Sequence, residues 1–203
     1  MRHSKGNPRF HNMRCLICER FSFKIICNKC FASFLTPTPK TRLIDDFKIY
    51  TFYSYSEIDF LLESKYHDIG SRIYPILARS AAKYFLPNFT LNESYKIYGV
   101  GIDAPIKRKK AYSHVACILK EFSSKITPLY TELKAQNNIK YAGQTLAFRK
   151  ANKKLYRYGA GVKDLIIFDD IITSGTSMLE AREVIIKGGG NPLFGIALSD
   201  AKY

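Results

Sequence analysis

The sequence predicts an α/β protein, a parallel sheet flanked by helices and preceded by a small four-cysteine metal finger. Three observations predict it. Four of the five cysteines fall into two C-x2-C pairs, Cys15/Cys18 and Cys27/Cys30, within sixteen residues. Downstream, strand-like segments alternate with segments of helical periodicity, the pattern of a parallel sheet with crossover helices. Near the end, the apolar run Leu165 to Phe168 passes through two carboxylates and a Thr/Ser/Gly turn into a helical segment.

A length of 203 residues fits one main domain with a small appendage. The expected divisions are residues 1–12, a finger over 13–36 and an α/β domain over 37–203. With 46% hydrophobic and 24% charged residues, a disordered or fibrous chain is excluded. No apolar stretch approaches the ~18 residues of a membrane helix. Met1–Asn12 is basic and polar and lacks the apolar centre of a signal peptide, so it is expected to be a disordered or non-native extension. The expected location is therefore the reducing cytoplasm, where cysteines hold metal more readily than they form disulfides.

In the finger, each C-x2-C turn brings two thiolates onto one tight knuckle, and two knuckles close a tetrahedron around one ion. The eight-residue separation predicts a compact two-knuckle or rubredoxin-like finger with structural Zn2+ on Cys15, Cys18, Cys27 and Cys30. A pair of disulfides, an iron–sulfur cluster and chance spacing are the alternatives. About twenty residues bury too little to fold alone, and metal binding can supply on the order of 10 kcal/mol. Cys117 differs. It lies among Val115, Ile118, Leu119 and Phe122, the stripe of a buried helix face, and is expected to be an inert core thiol.

Thr36-Pro37-Thr38-Pro39 predicts a linker. Phe47 to Tyr55, rich in β-branched and aromatic residues, predicts a strand or hairpin. Lys65 to Gly70 predicts a polar turn into a helix ending near Phe85, with Pro75 accommodated in its first turn. Tyr95 to Ile102 predicts a strand and Ser113 to Ser123 a helix. Thr127 to Gly161 shows no clear period and is expected to be an irregular flap. Then come a strand over Leu165–Phe168, a helix over Thr176–Lys187, three glycines as its stop, and a strand over Leu193–Leu198.

The most specific signal is Leu165 to Ser177. Ligands of open α/β sheets bind at the carboxyl ends of strands, where Asp169 and Asp170 are expected to emerge. Thr173, Ser174, Gly175, Thr176 and Ser177 then lead into a helix whose free N–H groups and dipole favour a phosphate. Gly175 permits a positive φ or a close ligand approach. Two carboxylates beside a phosphate cradle suit a phosphorylated sugar, whose hydroxyls can donate to them. The alternative is an acidic strand end with a Thr/Ser helix cap.

Charge points to a polyanionic partner: 32 basic against 17 acidic residues give +15. Residues 1–50 and 101–150 each hold ten basic and three acidic residues, while 51–100 are balanced at five and five. Two blocks stand out: Lys107, Arg108, Lys109 and Lys110, then Arg149, Lys150, Lys153, Lys154 and Arg157. The second interleaves Phe148, Tyr156 and Tyr158, as a single-strand-binding groove would, and Tyr156 is its candidate stacking residue. A solvated surface is the alternative.

The Leu165–Ser177 segment resembles the signature loop of type I phosphoribosyltransferases, which binds the ribose-5-phosphate of phosphoribosyl pyrophosphate. With the four-cysteine finger in front, the chain resembles the ComF family of competence proteins over about residues 13–200. Weaker matches are Lys65-Tyr66, Asp103-Ala104-Pro105 with the basic run, and Gln144, Arg149 and Asn152. Ala111-Tyr112-Ser113-His114 departs from the family's usual Gly-Phe-Asn-Gln.

The resemblance implies a phosphoribosyltransferase-like (Rossmann-like) fold in a protein that handles incoming single-stranded DNA during natural transformation. It implies phosphoribosyl pyrophosphate with Mg2+ at the loop, Lys65 and Arg72 on the pyrophosphate side, and no assigned catalytic residue. It also implies contact with other DNA-uptake machinery or with the inner-membrane surface. The alternative is an active transferase moving phosphoribosyl to a base or amine.

Overall fold

The computed structural model describes residues 13–90, 95–102, 112–137, 139, 141 and 143–202, without the side chains of Leu146 and Lys150. The Met1–Asn12 extension, Asp103-Ala104-Pro105 and the Lys107–Lys110 block lie outside the described residues. The chain divides into two compact units, one ending at Thr36 and the other beginning at Pro37.

The first unit is built from backbone turns around sulfur. Arg14 and Phe21 form an antiparallel bridge, and the Glu19 N–H donates to the Cys15 carbonyl at 2.9 Å. Glu19 adopts a left-handed φ of 58°, which closes this first knuckle. The second knuckle runs into α1 (Asn28–Phe34), whose N-cap is Cys27.

In the second unit, β1 (Lys40–Ile44) and β2 (Phe47–Thr51) form an antiparallel hairpin, followed by β3 (Tyr53–Ser54) and α2 (Tyr55–Leu62). The hairpin partner of Phe47–Thr51 thus lies upstream of it. β1 is an edge strand with mostly exposed, polar residues, so its sequence carries little apolar alternation. α3 (Gly70–Phe85) follows a short 3-10 turn, and Pro75 sits in its second turn rather than the first, where it forgoes the bond to the Ser71 carbonyl. Then come β4 (Tyr98–Gly101) and α4 (His114–Glu121), capped by the Ser113 hydroxyl accepting from the Ala116 N–H.

Thr127–Gly161 is more regular than its sequence suggests. It holds β5 (Thr127–Leu129), β6 (Leu133–Ala135), α5 (Leu146–Ala151) and β7 (Tyr156–Tyr158). Three-residue strands are too short for a period to show. The chain ends on β8 (Asp164–Ile172), α6 (Thr176–Lys187) and β9 (Asn191–Asp200).

The main sheet runs β1-β2-β9-β8-β4-β5, with β3 beside β9, and every pairing except β1–β2 is parallel. β6 and β7 pair antiparallel as a separate ribbon. β8 is central and buried on both sides, which explains its continuous apolar run. Leu165 and Ile167 pack with Met178, Ala181 and Ile185 of α6 and with Leu133, Ala135 and Tyr156 of the ribbon. On the other face Phe168 meets Phe122, just beyond α4. Among the described residues no helix is long and apolar enough to cross a membrane.

Candidate functional site

The four finger sulfurs lie within 4.8 Å of one another, and Cys18 and Cys27 Sγ are 3.8 Å apart. That separation is far beyond an S–S bond and matches the ~3.8 Å edge of a tetrahedron with metal–sulfur distances near 2.3 Å. The Cys27 N–H points at Cys15 Sγ (3.3 Å) and the Cys30 N–H at Cys27 Sγ (3.5 Å). Burial raises the Cys15 pKa, but backbone N–H groups of Cys27, Cys18 and Ile17 outweigh it and bring the thiol below its usual range. Burial and the neighbouring sulfurs push Cys30 up. Four thiolates this close need a cation between them. The donor set is positioned to bind one metal ion, and its softness and closed geometry are those of structural zinc. Cys117 is half-buried, and burial raises its pKa, in keeping with an unreactive thiol.

The second site is the turn between β8 and α6. Gly175 is the N-cap of α6 with φ +81° and offers no side chain to cap it; the Ser174 hydroxyl accepts from the Thr176 N–H at 3.4 Å. The positive φ is what favours glycine here; a Cβ would also lie 2.2 Å from Ile44 Cδ1 of β1, a side chain that would have to shift. Ser174 and Thr176 hydroxyls are 2.8 Å apart. Two guanidiniums converge on the turn. Arg42 Nη1 donates to the Thr173 carbonyl (2.7 Å) and to Asp200 (2.9 Å). Arg149 Nη1 donates to the Thr173 hydroxyl (2.5 Å) and the Ser174 hydroxyl (3.0 Å), and its Nε to the Gln144 carbonyl (3.1 Å). Cations, hydroxyls and a helix N-terminus together make an anion cradle.

Asp169 and Asp170 sit inside β8, because the strand continues to Ile172; they are not at an exposed strand end, and Asp170 is buried. Successive strand residues face opposite ways. Asp170 faces α3 and α4, where its Oδ2 meets Lys65 Nζ (2.8 Å), the Tyr74 hydroxyl (3.1 Å) and His114 Nε2 (3.6 Å). Burial raises its pKa, but attraction to Lys65 and His114 prevails and holds the carboxyl well below the carboxylate range. Asp169 faces the Lys154 and Tyr156 side; burial first, then the Asp170 charge, pushes its pKa up. The acidic pair is therefore split: one carboxylate is already paired and the other carries the strain.

The predicted cations scatter. Lys65 is engaged by Asp170, which raises its pKa against the opposing effect of burial. Arg72 is exposed on α3. Lys153 pairs with Glu183 at 3.5 Å, Lys154 Nζ lies 4.8 Å from the Tyr141 ring centroid, and Arg157 is exposed on β7. Tyr156 is only 7% exposed and belongs to the core under α6, so its ring face is not open for a base to stack on.

Residues the sequence reading missed include Arg42, Lys134, Tyr141, His114 and Glu180. Lys134 pairs in register with Arg157 on the exposed face of the β6–β7 ribbon, two like charges directly opposite. The alternation Leu133, Lys134, Ala135 was its signal. Glu180 interrupts the buried face of α6 between Met178 and Ala181, the signal of a buried carboxylate with a dedicated partner.

No protein-family model matches the chain, and no curated protein matches it.

Proposed function

We propose that this chain is a DNA-uptake protein that binds and handles single-stranded DNA in the cytoplasm, on a phosphoribosyltransferase-type scaffold. Its Asp169–Ser177 segment takes phosphoribosyl pyrophosphate with Mg2+. One observation carries the reading: Arg149 sits on the Thr173 and Ser174 hydroxyls at the N-terminus of α6, on the turn that follows the strand of Asp169. The ligand's 5-phosphate replaces those hydroxyls as the partner of Arg149. Asp169 accepts the ribose hydroxyls, because Asp170 Oδ2 is already engaged by the Lys65 ammonium, with the Tyr74 hydroxyl and His114 beside it. Mg2+ bound with the ligand would neutralise pyrophosphate charge, and a cation near Asp169 would offset the burial and the Asp170 repulsion that raise its pKa.

The strand is held by charge. The exposed Lys134–Arg157 pair and the +15 balance support a salt-dependent contact with phosphates. The test is fluorescence anisotropy with a labelled single-stranded oligonucleotide, repeated with phosphoribosyl pyrophosphate and Mg2+. Binding that weakens linearly in log salt supports the reading; no binding at low salt overturns it. Pyrophosphate release with a base or amine acceptor would instead make the protein an active transferase.

A further inference from the structure

The metal finger turns two phenylalanines to solvent. Phe23 is 81% exposed and Phe21 69%, and their rings meet edge to face with centroids 5.1 Å apart. Adjacent exposed rings forgo burial and mark a contact surface. Phe21 also forms one wall of a cavity of about 360 Å3, completed by Met13, Arg14 and Glu19. That volume falls within the range of roughly 300–1,000 Å3 usual for small-ligand sites. The walls are fixed by the knuckle itself: Arg14 and Phe21 form the bridge, the Ser22 N–H donates to the Met13 carbonyl (2.8 Å), and Glu19 holds its left-handed conformation.

The charge around this cleft is one-sided. Residues 13–36 contain Arg14, Arg20, Lys24 and Lys29 against Glu19 alone. None of the four cations forms an ion pair with a described residue; Lys24 donates to the neutral Asn28 amide at 2.7 Å.

We propose that this cleft receives one unpaired base of single-stranded DNA. The base lies against Phe21, its exocyclic amine donates to Glu19, and the flanking phosphates meet Arg14 and Arg20. Phe23 widens the stacking surface. The proposal rests on the single-strand reading above and adds a binding site within it. A lipid surface is the poorer fit, because insertion of the two rings would drag the Glu19 carboxylate against anionic headgroups. A base offers that carboxylate a donor. Thymine alone among the four bases lacks an exocyclic amine, so the cleft favours cytosine, adenine or guanine over thymine.

The test uses the full zinc-loaded chain and anisotropy with oligo-dC and oligo-dT. Phe21→Ala with Phe23→Ala should weaken binding about tenfold or more with an unchanged salt slope, and Phe21→Tyr should restore it. Glu19→Ala should keep zinc and erase the preference for oligo-dC, a readout that stands even if the double variant loses metal. If the parent binds the strand and the double variant binds equally well with zinc retained, the proposal is overturned while the single-strand reading stands. If the parent binds no strand, both fall. If the double variant loses only its binding to phosphatidylglycerol vesicles, the patch is a membrane contact and the proposal is overturned.

Discussion

Tyr141 donates its hydroxyl to Glu180 Oε1 at 2.7 Å, fastening the segment that carries Arg149 to α6. The Lys154 N–H reaches the other carboxylate oxygen at 3.2 Å, and the Arg149 and Asn152 carbonyls lie 3.1 and 2.8 Å from the same tyrosine hydroxyl. One buried carboxylate thus anchors both ends of α5. Arg149 arrives at Thr173 and Ser174 because its short helix is held in place from below.

Tyr141→Phe should therefore act on both stability and the loop. It leaves a buried carboxylate oxygen short of its donor and should cost about 1–3 kcal/mol. Phosphoribosyl pyrophosphate affinity should fall with it, as Arg149 loses its mount. Arg149→Ala should lower affinity with little loss of stability. Urea unfolding and calorimetry on both variants check this, and a Tyr141→Phe protein that matches the parent in both contradicts it.

The two aspartates should respond oppositely to replacement by Asn. Asp170, with its pKa depressed, contributes stability that is present above the ordinary carboxylate value near 4 and is lost as pH falls through its folded value. Asp169, with its pKa raised, contributes stability that is present below about 4 and is lost as pH rises through its folded value. Asp169→Asn should then stabilise the protein at neutral pH and flatten the alkaline side of its stability curve. Asp170→Asn should destabilise it by about 3 kcal/mol, the low end for a broken buried pair, since Lys65 keeps 20% of its side chain exposed. Urea unfolding at acidic, neutral and alkaline pH separates the two; the reverse order would contradict the assignment.

Cys15→Ala with Cys18→Ala should release one zinc per chain and unfold the finger while the unit from Pro37 onward stays folded. Elemental analysis and circular dichroism measure both effects. Retained zinc, or an iron–sulfur spectrum in the parent, would contradict the assignment.

Much of this architecture is legible in the sequence, and the misses share a cause. The C-x2-C pairs and the helix over Thr176–Lys187 are local patterns, and they agree with the cysteine cluster and α6. The split of Asp169 from Asp170 is hidden because β8 runs four residues past Phe168, with Ile171 and Ile172 behind the acids. The ion pair of Lys65 with Asp170 spans 105 residues, and Tyr141 with Glu180 spans 39, distances at which no sequence period operates. The basic neighbours of Tyr156 suggest a stacking residue, yet the β7 alternation turns it inward and Arg157 outward.

That inversion changes what the ribbon should do. Tyr156→Ala should destabilise the core by about 3 kcal/mol and leave base stacking untouched. Replacing Lys134, Lys153 and Arg157 with Ala should instead keep the fold intact and lower the salt slope of strand binding by roughly 0.7 for each phosphate no longer neutralised. An unchanged slope would return these charges to a solvated surface.

The sugar-phosphate assignment stands or falls on a calorimetric titration of phosphoribosyl pyrophosphate with Mg2+ into the zinc-loaded protein, beside Arg149→Ala and Asp169→Asn. The expected result is a saturable one-to-one heat that both substitutions weaken about tenfold or more, as for loss of a charge-assisted bond. No saturable heat in the parent, or equal affinity in all three proteins, would contradict the claim that this turn is a sugar-phosphate site.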